Sequence, residues 1–118
     1  MPRATNRVAS RKRRKAIMGM AKGYWGRRKN VYTVAKNAVE KALQYQYRDR
    51  RARKRQFRRL WITRITAAVQ SHGMRYSQFI HGVQKAGIKL NRKELSEMAI
   101  HDPATFGAIC GQAKSAIS

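Results

Sequence analysis

From Arg27 to His72 the chain contains neither glycine nor proline, an interval of 46 residues free of the two residue types that most readily end a helix. As one helix this interval would extend roughly 69 Å at 1.5 Å per residue. Val31, Val34, Ala35, Ala38, Val39 and Ala42 recur at helical spacing near its start, and Phe57, Leu60, Trp61, Ile65, Ala68 and Val69 recur near its end. The spacing predicts a single long helix, straight or kinked, with something apolar to bury at each end and nothing of the kind in the middle.

That middle, Arg48 to Arg59, reads RDRRARKRQFRR: eight basic residues against Asp49, a net +7 spread around every side of the helix. Two unit charges about 5 Å apart in water repel by roughly 0.8 kcal/mol, and each residue here has several such neighbours. Helix propensity returns only tenths of a kcal/mol per residue, so the segment needs an anionic envelope to hold its shape. The imbalance extends to the whole chain, with 28 Lys and Arg against 5 acids and a net charge of +23 over 118 residues. It is also lopsided. Residues 1–60 hold 21 basic and 2 acidic residues, net +19, whereas residues 61–118 hold 7 and 3, net +4.

Such a charge calls for a polyanion, and nucleic acid is the first candidate. A membrane surface fits less well, because no run approaches the roughly 18 apolar residues of a spanning helix and the basic stretches lack a broad apolar face. The first 26 residues carry Arg3, Arg7, Arg11, Lys12, Arg13, Arg14, Lys15 and Lys22, punctuated by Gly19, Gly23 and Gly26. With so few apolar side chains the segment is expected to be a mature basic arm, holding at most short helical turns until a partner orders it. Ala16, Ile17 and Met18 are too short an apolar run for a secretory signal, and amphipathic periodicity of the transit-peptide kind is absent.

Beyond Gly73 the pattern turns to short capped helices. Ser77 is placed to cap a helix running to about Ala86 and ended by Gly87, with Phe79, Ile80 and Val83 inward. Asn91 followed by Glu94 reads as a capping box, with Leu95, Met98 and Ala99 inward. Asp102 and Pro103 open a last helix containing Phe106, Ile109, Ala113 and Ile117. Phe57, Leu60, Trp61 and Ile65 are expected to pack against these helices. The fold expected is therefore all-α: a basic N-terminal tail over 1–26, a long basic helix over 27–59, and a compact C-terminal helical domain over 60–118 that includes the end of the long helix.

Catalysis finds little to work with. His72, His81, His101, Cys110, Asp49, Asp102 and three glutamates form no motif, and the histidines lie 9 and 20 residues apart without paired ligands. No catalytic residue, metal or cofactor is expected. The lone Cys110 permits no intrachain disulfide and fits a reducing compartment. What the sequence does supply is arginine, which grips phosphate bidentately and stacks on bases, interleaved with aromatic rings. Tyr24 and Trp25, flanked by Gly23 and Gly26 in a segment with little core, are expected to meet RNA, as is Tyr32; Tyr45 and Tyr47 carry no assignment.

The segments KGYWGRRKNVY (22–32), YQYRDRRARKRQFRRLWITRI (45–65), YSQFIHGVQKAGI (76–88) and LNRKELSEMA (90–99) resemble, in order and over essentially the whole chain, the twentieth large-subunit ribosomal protein family of bacteria. The chain departs from the family's usual residues at Trp25, Thr33, Gln46 and Thr66. The resemblance implies a direct binder of large-subunit ribosomal RNA that acts early in subunit assembly beside neighbouring ribosomal proteins, in the cytoplasm, without homo-oligomers; some members also repress their own message. The RNA-binding set expected is, in the first half, the eight tail cations named above with Tyr24, Trp25, Arg27, Arg28, Lys29 and Tyr32. It continues with Arg48, Arg50, Arg51, Arg53, Lys54, Arg55, Arg58 and Arg59, then Arg64, Arg92 and Lys93. The rival readings are an architectural DNA-binding protein, whose helix-turn-helix the C-terminal helices would imitate, and a small nucleic-acid enzyme.

Overall fold

A computed structural model describes Arg3 and residues 5–118; the parts of the expected tail formed by Met1, Pro2 and Ala4 lie outside the described residues. Among the described residues the chain is all-α, in the order α1 (Arg7–Met20), a 3-10 turn (Gly26–Arg28), α2 (Tyr32–Ser71), α3 (Tyr76–Lys85), α4 (Arg92–His101) and α5 (Pro103–Ile117). The chain divides into two compact units, one ending at Arg51 and the other running from Ala52 to Ser118.

The first unit has a core of its own, in which the apolar stripe expected at the start of the long helix meets residues of the N-terminal segment that were not expected to pack. Ala21, Ala35 and Val39 are buried, with Ile17, Met18 and Tyr24 packed against them. Residues 7–20 are thus a 14-residue helix where only short turns were anticipated. Its half-buried apolar residues, Ile17 and Met18, lie near its C-terminal end, where burial against α2 gives the helix an anchor. The long helix starts later than Arg27. Val31 N–H donates to the Arg27 carbonyl, and the first bond of the next helix runs from Ala35 N–H to the Val31 carbonyl at 2.8 Å. The arginines at 27 and 28 therefore sit in a turn.

The second unit is held by Ile65, Val69, Met74, Phe79, Val83, Leu95, Phe106, Ile109, Cys110 and Ala113, all buried. Phe79 and Phe106 meet with ring centroids 5.5 Å apart, tilted by 42°. Burying each of the larger side chains contributes about 1.5–3 kcal/mol. Two helix ends are built alike: Met74 N–H reaches back to the Val69 carbonyl and Ile88 N–H to the Val83 carbonyl, with Gly73 and Gly87 both at φ +72. That left-handed step is the one glycine makes at low cost, and it turns the chain sharply after α2 and α3.

Two caps stand where the sequence puts them. Asn91 Oδ1 accepts from Glu94 N–H at 2.9 Å while Glu94 Oε2 accepts from Asn91 N–H at 2.8 Å. Asp102 Oδ1 accepts from Thr105 N–H at 3.1 Å, with Pro103 in the first turn of α5. The third does not. α3 opens earlier than expected, with Arg75 as its capping residue, whose N–H donates to Gln78 Oε1 at 3.0 Å, so Ser77 lies inside the helix. Phe57 and Leu60 also depart from expectation. They are 48% and 41% exposed, Trp61 is only half-buried, and none of the three belongs to the core that Ile65 and Val69 enter.

Candidate nucleic-acid interface

In the first unit, one end of α1 is committed to the small core and the rest of its length carries Arg7, Arg11, Lys12, Arg13, Arg14 and Lys15, all exposed, with Arg3 exposed ahead of it. Thr5, Asn6, Arg7, Ser10, Arg11, Arg13 and Arg14 line an open concavity on this helix. The Arg14 guanidinium lies 5.4 Å from the centroid of Tyr32, a cation-π contact that ties the basic helix to the start of α2. Lys22, Arg27, Arg28 and Lys29 are exposed along the connection. Trp25 stands 90% exposed among them, whereas Tyr24 is half-buried against Ala21, Ala35 and Val39. Tyr24 therefore has a packing role that sequence reasoning missed, and only part of its ring faces outward. No local signal marked it, because Ala35 and Val39 come near Tyr24 only after the chain has turned.

Farther along α2 in the same unit, the acids do little to offset the cations. Among the described residues Glu40 pairs with Lys36 at 3.9 Å and Asp49 with Arg48 at 2.8 Å, both at the surface. The hydrogen bond to Asp49, and then its charge, hold the Arg48 guanidinium still more firmly protonated than usual. Tyr45 and Tyr47, unassigned from sequence, each lie under a guanidinium: Arg48 is 4.6 Å from the Tyr45 centroid and Arg51 3.7 Å from that of Tyr47. Lys41 approaches Tyr45 at 5.9 Å. The spacings Tyr45 to Arg48 and Tyr47 to Arg51 are the i,i+3 and i,i+4 neighbours of a helix surface, so the pattern was present in the sequence. Arg50 has no ring beneath it among these contacts.

In the second unit, Arg53, Lys54, Arg55, Arg58 and Arg59 are exposed on α2 and make no ion pair among the described residues. Phe57 and Trp61 lie among them with ring centroids 6.3 Å apart. The other three expected positions differ from this group. Arg64 is half-buried and sits 3.5 Å from Glu97, which also takes His101 at 3.4 Å. Arg92 gives its Nε to the Tyr76 hydroxyl at 2.8 Å, fixing the start of α4 against α3. Lys93 is exposed. Arg64 and Arg92 thus have polar partners within the unit, while the basic residues of 53–59 have no ion-pair partner among the described residues.

The remaining chemistry is sparse. Among the described residues no three His, Cys, Asp or Glu side chains gather as a metal would require, and no helix is long and apolar enough to cross a membrane. Burial pushes the Cys110 thiol up, away from the thiolate that reactivity needs. What the surface offers is fixed, unpaired positive charge with planar groups beside it, which suits phosphate and bases.

Comparison with known proteins shows what the chain is similar to. The family model described as Ribosomal protein L20 matches residues 3–109. A relative from Salinibacter ruber (strain DSM 13855 / M31), named large ribosomal subunit protein bL20, is 61% identical over 109 residues, covering 92% of this chain and 95% of the relative. One of the same name from Amoebophilus asiaticus (strain 5a2) is 60% identical over 92% of this chain and 96% of its own. Another from Leptothrix cholodnii (strain ATCC 51168 / LMG 8142 / SP-6) is 58% identical over 118 residues, the full length of both.

Proposed function

We propose the function from one premise: this chain belongs to the ribosomal protein L20 family, whose members are components of the ribosome and not enzymes. The chain is then a structural constituent of the large ribosomal subunit, at work in the cytoplasm, that binds the subunit's ribosomal RNA directly and promotes its early assembly. In this reading residues 1–26 enter crevices of the RNA, residues 27–59 place arginines against phosphates from several strands at once, and residues 60–118 rest on a shaped junction. The RNA fold gains stability because its backbones approach one another around fixed positive charge, at separations where they would otherwise repel.

The observation that carries the reading is the exposed run Arg53, Lys54, Arg55, Arg58 and Arg59, which makes no ion pair among the described residues, in a helix whose later turns pack an ordinary core. A helix so charged has no reason to exist in a self-sufficient domain, and every reason inside a polyanion. Competition binding tests it: the full chain is bound to labelled large-subunit ribosomal RNA and challenged with unlabelled copies of the same RNA or with duplex DNA. The RNA should displace the label at far lower concentration. Equal displacement by DNA would favour the architectural DNA-binding alternative, because phosphate charge alone would then account for all of the affinity.

A further inference from the structure

Two guanidinium groups on α2 lie over tyrosine rings, and their situations differ. Arg48 is spent twice: it covers Tyr45 at 4.6 Å and its Nε donates to Asp49 Oδ1 at 2.8 Å. Arg51 covers Tyr47 at 3.7 Å, the separation of two flat groups in van der Waals contact, and pairs with no carboxylate among the described residues. Tyr47 is 56% exposed, and Arg51 is exposed as well. The Arg51 guanidinium carbon thus lies over the ring, and both residues keep surface open to solvent.

We infer that Tyr47 and Arg51 form a stacking platform for an unpaired nucleobase, which lies on the outer face of the Arg51 guanidinium while the edge nitrogens bond the flanking phosphate. This rests on the RNA-binding reading above and adds to it a site with a geometry. The tyrosine holds the guanidinium flat, so less rotamer freedom is lost when a base arrives. The base completes a three-layer stack of ring, guanidinium and base, in which the guanidinium's charge is attracted to both π-faces. Leu43, half-exposed four residues before Tyr47, continues the same stripe of the helix, so the platform borders apolar surface as well as charge. A lysine at position 51 would keep the charge and lose the plane. Arg50, one residue away, has the same charge and no ring beneath it, which makes it the natural control.

The test uses the full chain and a full-length large-subunit ribosomal RNA transcript from Salinibacter ruber, with affinity measured across a range of salt. Arg51→Lys should weaken binding roughly five- to tenfold with an unchanged salt slope, because one plane and no charge has been removed. Arg50→Lys should stay within about twofold of the parent. Tyr47→Leu should match Arg51→Lys, whereas Tyr47→Phe, which keeps the ring face, should bind like the parent. If Arg51→Lys is no weaker than Arg50→Lys, or if Tyr47→Leu binds like the parent, the platform is overturned although the RNA-binding reading stands. If the parent chain itself does not bind the transcript at low salt, that broader reading fails first.

Discussion

Gly82 and Asp102 show how single residues set the geometry of the C-terminal unit. A Cβ on Gly82 would run into the Ala113 carbonyl oxygen and lie 2.8 Å and 2.9 Å from that residue's carbonyl carbon and Cα, so α3 and α5 cross with backbone against backbone. Gly82→Ala should therefore destabilise the chain by about 1–3 kcal/mol or more in chemical denaturation, despite alanine's better helix propensity. Gly111→Ala in α5, where nothing lies within 4 Å, should be neutral or slightly stabilising. At Asp102 the Thr105 hydroxyl, and then its backbone N–H, donate to the carboxylate and hold its pKa below the ordinary 3.8. The unfolded chain lacks those donors and takes up the proton more readily, so the cap contributes fully above the unfolded value and is lost as pH falls through the lowered native one. Melting temperatures of the parent and Asp102→Ala should differ at neutral pH, and the gap should narrow as the pH is lowered below 3.8; a gap independent of pH would remove the carboxylate from the argument. Asp102 and the Asn91 and Glu94 pair were legible because a cap is a local device, complete within four residues. Tyr24 was not, because its partners Ala35 and Val39 are distant in sequence and come near only after the chain has turned.

At the scale of elements, periodicity reads well where a helix has one buried stripe and poorly where burial is partial. Ile65 and Val69 were placed in the core correctly, as were Phe79, Leu95 and Phe106. Phe57 and Leu60 share the same spacing on the same helix and are exposed, outside the core that Ile65 and Val69 enter. The residues of α1 look too polar for a helix in isolation, and Ile17 and Met18 with Ala21 suffice because α2 supplies the opposing surface. Along α2 itself, charge and packing make opposite demands. The turns around Ile65 and Val69 are tied to a core, whereas those from Arg53 to Arg59 have only solvent and one another. Amide hydrogen exchange should therefore be faster at 53–59 than at 65–69 in the free chain at low salt, and should slow at 53–59 when ribosomal RNA is added. Equal protection of both stretches in the free chain would show that the repulsion is offset from within.

For the molecule as a whole, the decisive quantity is how unevenly charge is laid along the sequence: net +19 in residues 1–60 against +4 in the remainder. That imbalance is legible in the order of the residues alone, because charge is counted and needs no fold to be known. It assigns folding to one set of residues and attraction to another, since the stretch that contributes most of the apolar core contributes little of the charge. The structure adds that the basic residues of 48–59 are exposed and, Arg48 apart, without carboxylate partners among the described residues, so their positive charge is available to a polyanion. The most direct measurement of that claim is the salt dependence of binding to large-subunit ribosomal RNA by the full chain. If the eight basic residues from Arg48 to Arg59 each neutralise a phosphate, the plot of log affinity against log salt should fall with a slope of at least about −6 to −7, and more steeply as cations of residues 1–29 add their own contacts. A slope of about −1 to −2 would mean that only one or two phosphates are met, and would contradict the account.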